Sequence, residues 1–190
     1  MNYADSVLDE INKLKEDYSV MDMSAVRRYN NGRKFLNRHE NVAEHSTHVA
    51  LNVIILCDIL QLPDEMRYKA VTWAVVHDIS EPVSADLPYE FKSTAPQVFN
   101  DQFEAFELSQ VWDNYPHFYP DFGDFTASGH KENSRRPIER ILVDLADALV
   151  VRQYAKLEMD MGNKTSEVEK FYKLADIRIE EHTKHLISLL

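Results

Sequence analysis

With a single cysteine, Cys57, the chain has no partner for an intramolecular disulfide, so its stability rests on a packed core rather than on covalent staples. Cys57 lies in the apolar run Val53-Ile54-Ile55-Leu56-Cys57 and reads as a reduced core thiol, which points to a reducing, cytoplasmic compartment. Glycine is also scarce: four in 190 residues are too few for a turn-rich β architecture. No run of 18 uncharged apolar residues occurs, which argues against a membrane-spanning helix, and the N-terminal MNYADSVLDEINKLKEDYS alternates charge with apolar residues where a leader would be continuously apolar. Positive charge is in deficit, 21 Lys and Arg against 32 Asp and Glu for a formal net charge of −11. Since affinity for duplex nucleic acid comes from neutralising backbone phosphates, neither a duplex nor a membrane is an expected partner.

What remains is a set of long segments rich in Leu, Ala, Glu and Lys with helical periodicity, which predicts one all-α domain over residues 1–190. Val7, Leu8, Ile11, Leu14 and Tyr18 predict a helix over 4–18. His45, Val49, Val53, Leu56 and Leu60 form the stripe of a second, beginning at Ala43. Pro63, followed by Asp64 and Glu65, opens a third whose face carries Met66, Ala70, Trp73 and His77, and Pro82 stops it near Glu81. Further helices are expected over 98–112, from Pro137 through Leu149, and over 165–189, the last burying Val168, Phe171, Ala175, Ile179, His182, Leu186 and Leu189. The basic segment 24–41 reads as a loop or broken helix turning at Asn30-Asn31-Gly32, residues 83–92 as a connection, and 114–137, rich in Pro, Gly and aromatics, as a long irregular loop.

Against this pattern several polar residues stand out. The stretch AVVHDISEP (74–82) puts His77, Asp78 and Glu81 directly behind an apolar run, with Asp86 shortly after. Burying such groups without partners costs roughly 2–7 kcal/mol each for a polar group and more for a charge, so hydrogen bonds, a solvent cleft or a metal ion must compensate. His45 begins one helix on its apolar side, and Asp144 and Asp147 interrupt the apolar positions of another, where aspartate is a poor helix former. His45, His77, Asp78 and Asp147 therefore bring two imidazoles and two carboxylates from three helices, a donor set that suits Zn, Mn, Fe, Co or Ni. Asp144, one turn from Asp147, offers a nearly equivalent direction. His48, His117, His130, His182 and His185 lack a second donor at useful spacing and read as ordinary structural or surface residues. The segment SAVRRYNNGRKFLNR (24–38) concentrates five cations in an acidic chain and is either a solvated surface or an anion site.

The order His45, His77-Asp78 and Asp147 within ADAL (146–149) resembles the H…HD…D signature of HD-domain metal-dependent phosphohydrolases. ENVAEHS (40–46), HDISE (77–81) and DLPYEFK (86–92) are similar, more narrowly, to the short bacterial 5′-deoxynucleotidases of the YfbR-like group, and the likeness runs from about Arg28 to Tyr154. The resemblance implies an HD helical bundle with one divalent ion, Zn, Co, Mn or similar, on His45, His77, Asp78 and Asp147. Glu81 would then activate the attacking water and Asp86 assist the leaving oxygen. Arg28 and Tyr29 would bind the nucleotide, tyrosine standing where the family has tryptophan, and Lys92 matches a family lysine. Arg33 and Lys34 are further candidates to hold phosphate. The implied reaction is hydrolysis of a deoxyribonucleoside 5′-monophosphate by a homo-oligomer, a dimer or larger. Removal of a whole triphosphate from a substrate such as dATP, and a nucleotide-binding regulatory module without turnover, are the alternatives.

Overall fold

The chain is described here by a computed structural model over residues 3–16, 42–81, 94–129 and 136–190. The expectations for the basic segment and for the 83–92 connection, and with them Arg28, Tyr29, Arg33, Lys34, Asp86, Lys92 and His130, lie outside the described residues. Seven helices carry the described structure: α1 (Tyr3–Glu16), α2 (Val42–Ile59), α3 (Asp64–Val76), α4 (Gln97–Asn114), α5 (Tyr119–Gly129), α6 (Ile138–Asp160) and α7 (Ser166–Leu189). The all-α expectation holds.

α2 and α3 form a tight antiparallel hairpin. The Leu62 N–H donates to the Cys57 carbonyl and the Gln61 N–H to that of Asp58, at 3.0 and 3.1 Å, closing the last turn of α2 through a left-handed residue. That residue is Gln61, at φ 51°, where a side chain costs about 1 kcal/mol that glycine would not. Pro63 follows and caps α3 from outside, where its missing N–H is not needed.

α6 runs through the middle of the bundle. From Ile141 to Val150 every side chain is buried except Asp144 and Asp147. A helix buried on all sides has no solvated face to which polar residues can be assigned, so these two aspartates must meet partners inside the protein. Val7 and Ile11 of α1, Val49, Val53 and Leu56 of α2, Ala70 and Trp73 of α3, and Ile179 and Leu186 of α7 pack around it. Each fully buried Leu or Ile contributes roughly 1.5–3 kcal/mol. Lower on α6, the buried Arg152 pairs with Asp176 at 2.7 Å and also donates to the Tyr172 hydroxyl and the Lys15 carbonyl, tying α7 and the end of α1 to the centre. A smaller apolar cluster, Val76, Val111 and Phe122, fixes α4 and α5 against the C-terminal end of α3.

The structure departs from the sequence expectations in three places. The segment expected to be an irregular loop contains α5, which buries Phe122 and Phe125. Pro120 falls in its first turn, where proline is tolerated, and burial of the two aromatics outweighs the roughly 1 kcal/mol that Gly123 costs inside a helix. α3 ends at Val76 rather than near Glu81. Residues 77–80 turn instead, with Ile79 N–H on the Val76 carbonyl and Glu81 N–H on that of Asp78. On α7, Phe171 and Leu189 are exposed, at 54% and 43%, and His182 is half-buried, although Val168, Ala175, Ile179 and Leu186 form the expected buried stripe. No helix among the described residues is long and apolar enough to cross a membrane.

Cys57 is buried, and burial pushes its thiol up to about 11. Only the thiolate reacts, so at pH 8 roughly a thousandth of the native population is reactive. A disulfide reagent such as Ellman's should leave the folded protein unmodified at pH 8 over minutes and titrate one thiol on denaturation. Rapid labelling of one equivalent in the native state would contradict this placement.

Candidate metal centre and adjoining cavity

The hairpin explains why two histidines 32 positions apart meet. His45 lies in the first turn of α2 and His77 just past the last turn of α3, each roughly 20 Å of helix rise from the reversal. Their ring centroids are 5.4 Å apart. His45 Nε2 lies 3.5 Å from Asp78 Oδ2 and 3.1 Å from Asp147 Oδ1, while His77 Nε2 lies 3.1 Å from Asp78 Oδ2. One donor atom each from His45, His77 and Asp78 can be chosen with all of them within 4.8 Å of one another; Asp147 is not part of that group and approaches it through His45. Around an ion with bonds of about 2.1 Å, neighbouring ligand atoms sit roughly 3.0–3.4 Å apart; two of the three separations fall in that range and the third, 3.5 Å, lies just above it.

His77 supplies the sharpest test of whether an ion fits. Its Nδ1 lies 2.7 Å from the Ala74 carbonyl. A carbonyl only accepts, and carbonyls in the last turn of a helix lack intrahelical donors, so Nδ1 carries the proton and Nε2 keeps the lone pair. That Nε2 is buried without a hydrogen-bond partner, although the Asp78 carboxylate is close by. A lone pair 3.1 Å from a carboxylate calls for a cation between them, either a proton on Nε2 or a metal ion. An imidazole oriented through its other nitrogen by a backbone carbonyl is also how histidine ligands are commonly held.

The electrostatics agree. Burial lowers the His77 pKa, but Asp78 and then Asp147 overcome it, so the imidazole ends up raised. Burial pushes Asp147 up, yet Arg178, followed by His45, holds its carboxyl well below the usual carboxylate range. The field at the cluster therefore favours positive charge. Asp144 is otherwise engaged: Arg140 Nε donates to it at 2.9 Å and Arg136 Nη1 at 3.4 Å.

A cavity of about 380 Å³ adjoins the cluster, within the ~300–1,000 Å³ range of small-ligand pockets. His77, Asp78, Glu81 and Asp147 all line it, and His45 reaches the cluster from α2 without lining it. α4 contributes Glu104 and Glu107, the latter accepting from Ser80 Oγ at 3.1 Å. α5 contributes Phe122 and Phe125, and Arg140 stacks on the Phe125 ring at 3.7 Å while donating to the Phe125 carbonyl. A Cβ added at Gly129 would lie 3.3 Å from Arg140 Nη1, so glycine lets the guanidinium approach.

Sequence reasoning missed Arg136, Arg140, Arg178, Glu104 and Glu107. The spacing 136, 140, 144 was a legible signal for the first two, since residues four apart share a helix face. Arg178 had none beyond lying next to the buried Ile179. His48 is buried, His117 is exposed, and burial lowers the His182 pKa against the pull of Asp144.

An all-helical bundle with this His…His-Asp…Asp arrangement beside a cavity defines an HD-type domain. Two solved structures share the fold. The PH0347 protein of Pyrococcus horikoshii superposes with a TM-score of 0.57 at 23% identity, covering 80% of this chain and 82% of that one. A conserved hypothetical protein from Pyrococcus furiosus gives 0.54 at 24% identity, covering 78% and 81%. Likeness at these identities shows the fold alone. The family described as 5′-deoxynucleotidase YfbR-like matches residues 18–188, and the chain belongs to that family. Membership makes it a hydrolase of nucleotide metabolism. No curated protein matches it.

Proposed function

We propose that the protein is a metal-dependent 5′-deoxynucleotidase, hydrolysing deoxyribonucleoside 5′-monophosphates to deoxynucleoside and orthophosphate. The observation that carries this reading is the convergence of His45, His77 and Asp78, their donor atoms within 4.8 Å of one another, at the wall of a nucleotide-sized cavity. His45, His77, Asp78 and Asp147 would hold one divalent ion, which when bound lowers the pKa of water from ~15.7 toward ~7 and neutralises phosphoryl oxygens. Glu81, one turn beyond Asp78 and on the cavity wall, takes the proton of the water that attacks phosphorus. The phosphorus–5′-oxygen bond breaks, and Asp86, assigned by resemblance, returns a proton to the leaving 5′ oxygen. Arg28, Tyr29, Arg33, Lys34 and Lys92 are assigned to substrate binding on the same ground.

Among the described residues, the charge of the cavity lining supports the monophosphate reading over the triphosphate. Six carboxylates and three arginines of those residues line the cavity, and Asp144 and Asp147 already engage all three arginines. Such a wall suits two negative charges better than the four of a triphosphate.

Phosphorus NMR of a metal-supplemented reaction with dAMP, AMP and dATP tests the proposal. Orthophosphate from dAMP, with AMP turned over more slowly, is the expected outcome. Tripolyphosphate from dATP with dAMP untouched would replace it by the triphosphohydrolase reading. Binding of all three without turnover would leave a regulatory module.

A further inference from the structure

Asp147 divides its two carboxylate oxygens between different helices. Oδ1 lies 3.1 Å from His45 Nε2, on the side of the histidine cluster, and Oδ2 accepts from Arg178 Nη2 at 2.7 Å. Arg178 and Asp147 are 24% and 21% exposed, so the pair is shielded enough for geometry to matter. One turn earlier on the same helix, Asp144 is also held by arginine, through Arg140 and Arg136. Arg178 is itself fixed from below: Ala175 and Ile179, on either side of it along α7, are 1% and 0% exposed in the core against α6.

We propose that Arg178 is a positioning residue for the metal centre. By holding Oδ2 it turns the Asp147 carboxylate so that Oδ1 alone is presented alongside His45, His77 and Asp78. The terminal torsion of an aspartate is broad and roughly two-fold, so a carboxylate released on one side is free to rotate and to offer both oxygens. A planar guanidinium restrains that rotation through a directional N–H, here Nη2 on Oδ2, whereas a lysine ammonium supplies charge with less directional donors. Partners outside the ligand shell typically contribute ~10- to 100-fold in metal affinity. This inference rests on the metal reading above.

The test is titration calorimetry of the full metal-stripped chain with Mn²⁺, accompanied by the visible absorption spectrum of the Co²⁺-loaded form. The wild type should bind one Mn²⁺ in a manner that His77→Ala removes. Arg178→Met should weaken binding ~10- to 100-fold and alter the Co²⁺ spectrum, and Arg178→Lys should recover only part of either. Circular dichroism establishes that each variant is folded, and Arg178→Gln takes the place of Arg178→Met if the latter is not. Wild-type affinity and spectrum in a folded Arg178→Met or Arg178→Gln protein would overturn the inference while leaving the metal reading intact. Full recovery by Arg178→Lys would overturn positioning in favour of charge alone. A wild type that binds no ion, or that binds equally well after His77→Ala, would instead overturn the metal reading beneath it.

Discussion

Replacing Glu81 by glutamine should leave the divalent ion bound and lower kcat by ~10²- to 10⁴-fold, the usual contribution of a general acid–base group. Glu81 lies just past α3, its backbone N–H on the Asp78 carbonyl, and its side chain lines the cavity. Glutamine keeps the size and hydrogen-bonding capacity of the side chain but cannot accept a proton from water. Metal content by elemental analysis and steady-state kinetics on dAMP, taken together, separate the roles. A Glu81→Gln enzyme with unchanged kcat removes Glu81 from proton transfer, and one that has lost the ion makes it a ligand.

The second large effect distinguishes two aspartates that sequence spacing could not. Asp147→Ala should abolish both bound metal and turnover. Asp144→Ala should keep the ion but destabilise the fold by about 3 kcal/mol, because it leaves the Arg136 and Arg140 guanidiniums largely buried and without their shared carboxylate. Chemical denaturation of the two variants, with metal analysis of each, reads both quantities. Loss of the ion from Asp144→Ala and its retention in Asp147→Ala would reverse the assignment.

Much of the bundle was legible because its signals are local. Pro63 and Pro137 mark the starts of α3 and α6 directly, and the stripe through Val49, Val53 and Leu56 is the buried face of α2. α5 was not legible: its proline and two glycines argue for a loop, and only the tertiary burial of Phe122 and Phe125 decides for a helix. The site divides in the same way. His45, His77, Asp78 and Asp147 could be picked out as polar residues on apolar faces, since that conflict is visible along the chain. Spacing alone leaves Asp144 as a nearly equivalent direction; the choice of Asp147 comes from the resemblance, and its support, Asp147 Oδ1 3.1 Å from His45 Nε2 with Asp144 taken by Arg140 and Arg136, is tertiary. Nor was the tautomer of His77 legible, since it is set by where α3 ends and hence by which carbonyl is left without a donor.

The most direct measurement is anomalous diffraction at the zinc edge from crystals of the protein grown with Zn²⁺. One peak is expected per chain, about 2.0–2.2 Å from His45 Nε2, His77 Nε2 and oxygens of Asp78 and Asp147. The absence of a peak between these four residues, or a peak against Asp144 instead, would contradict the assignment of a metal centre here.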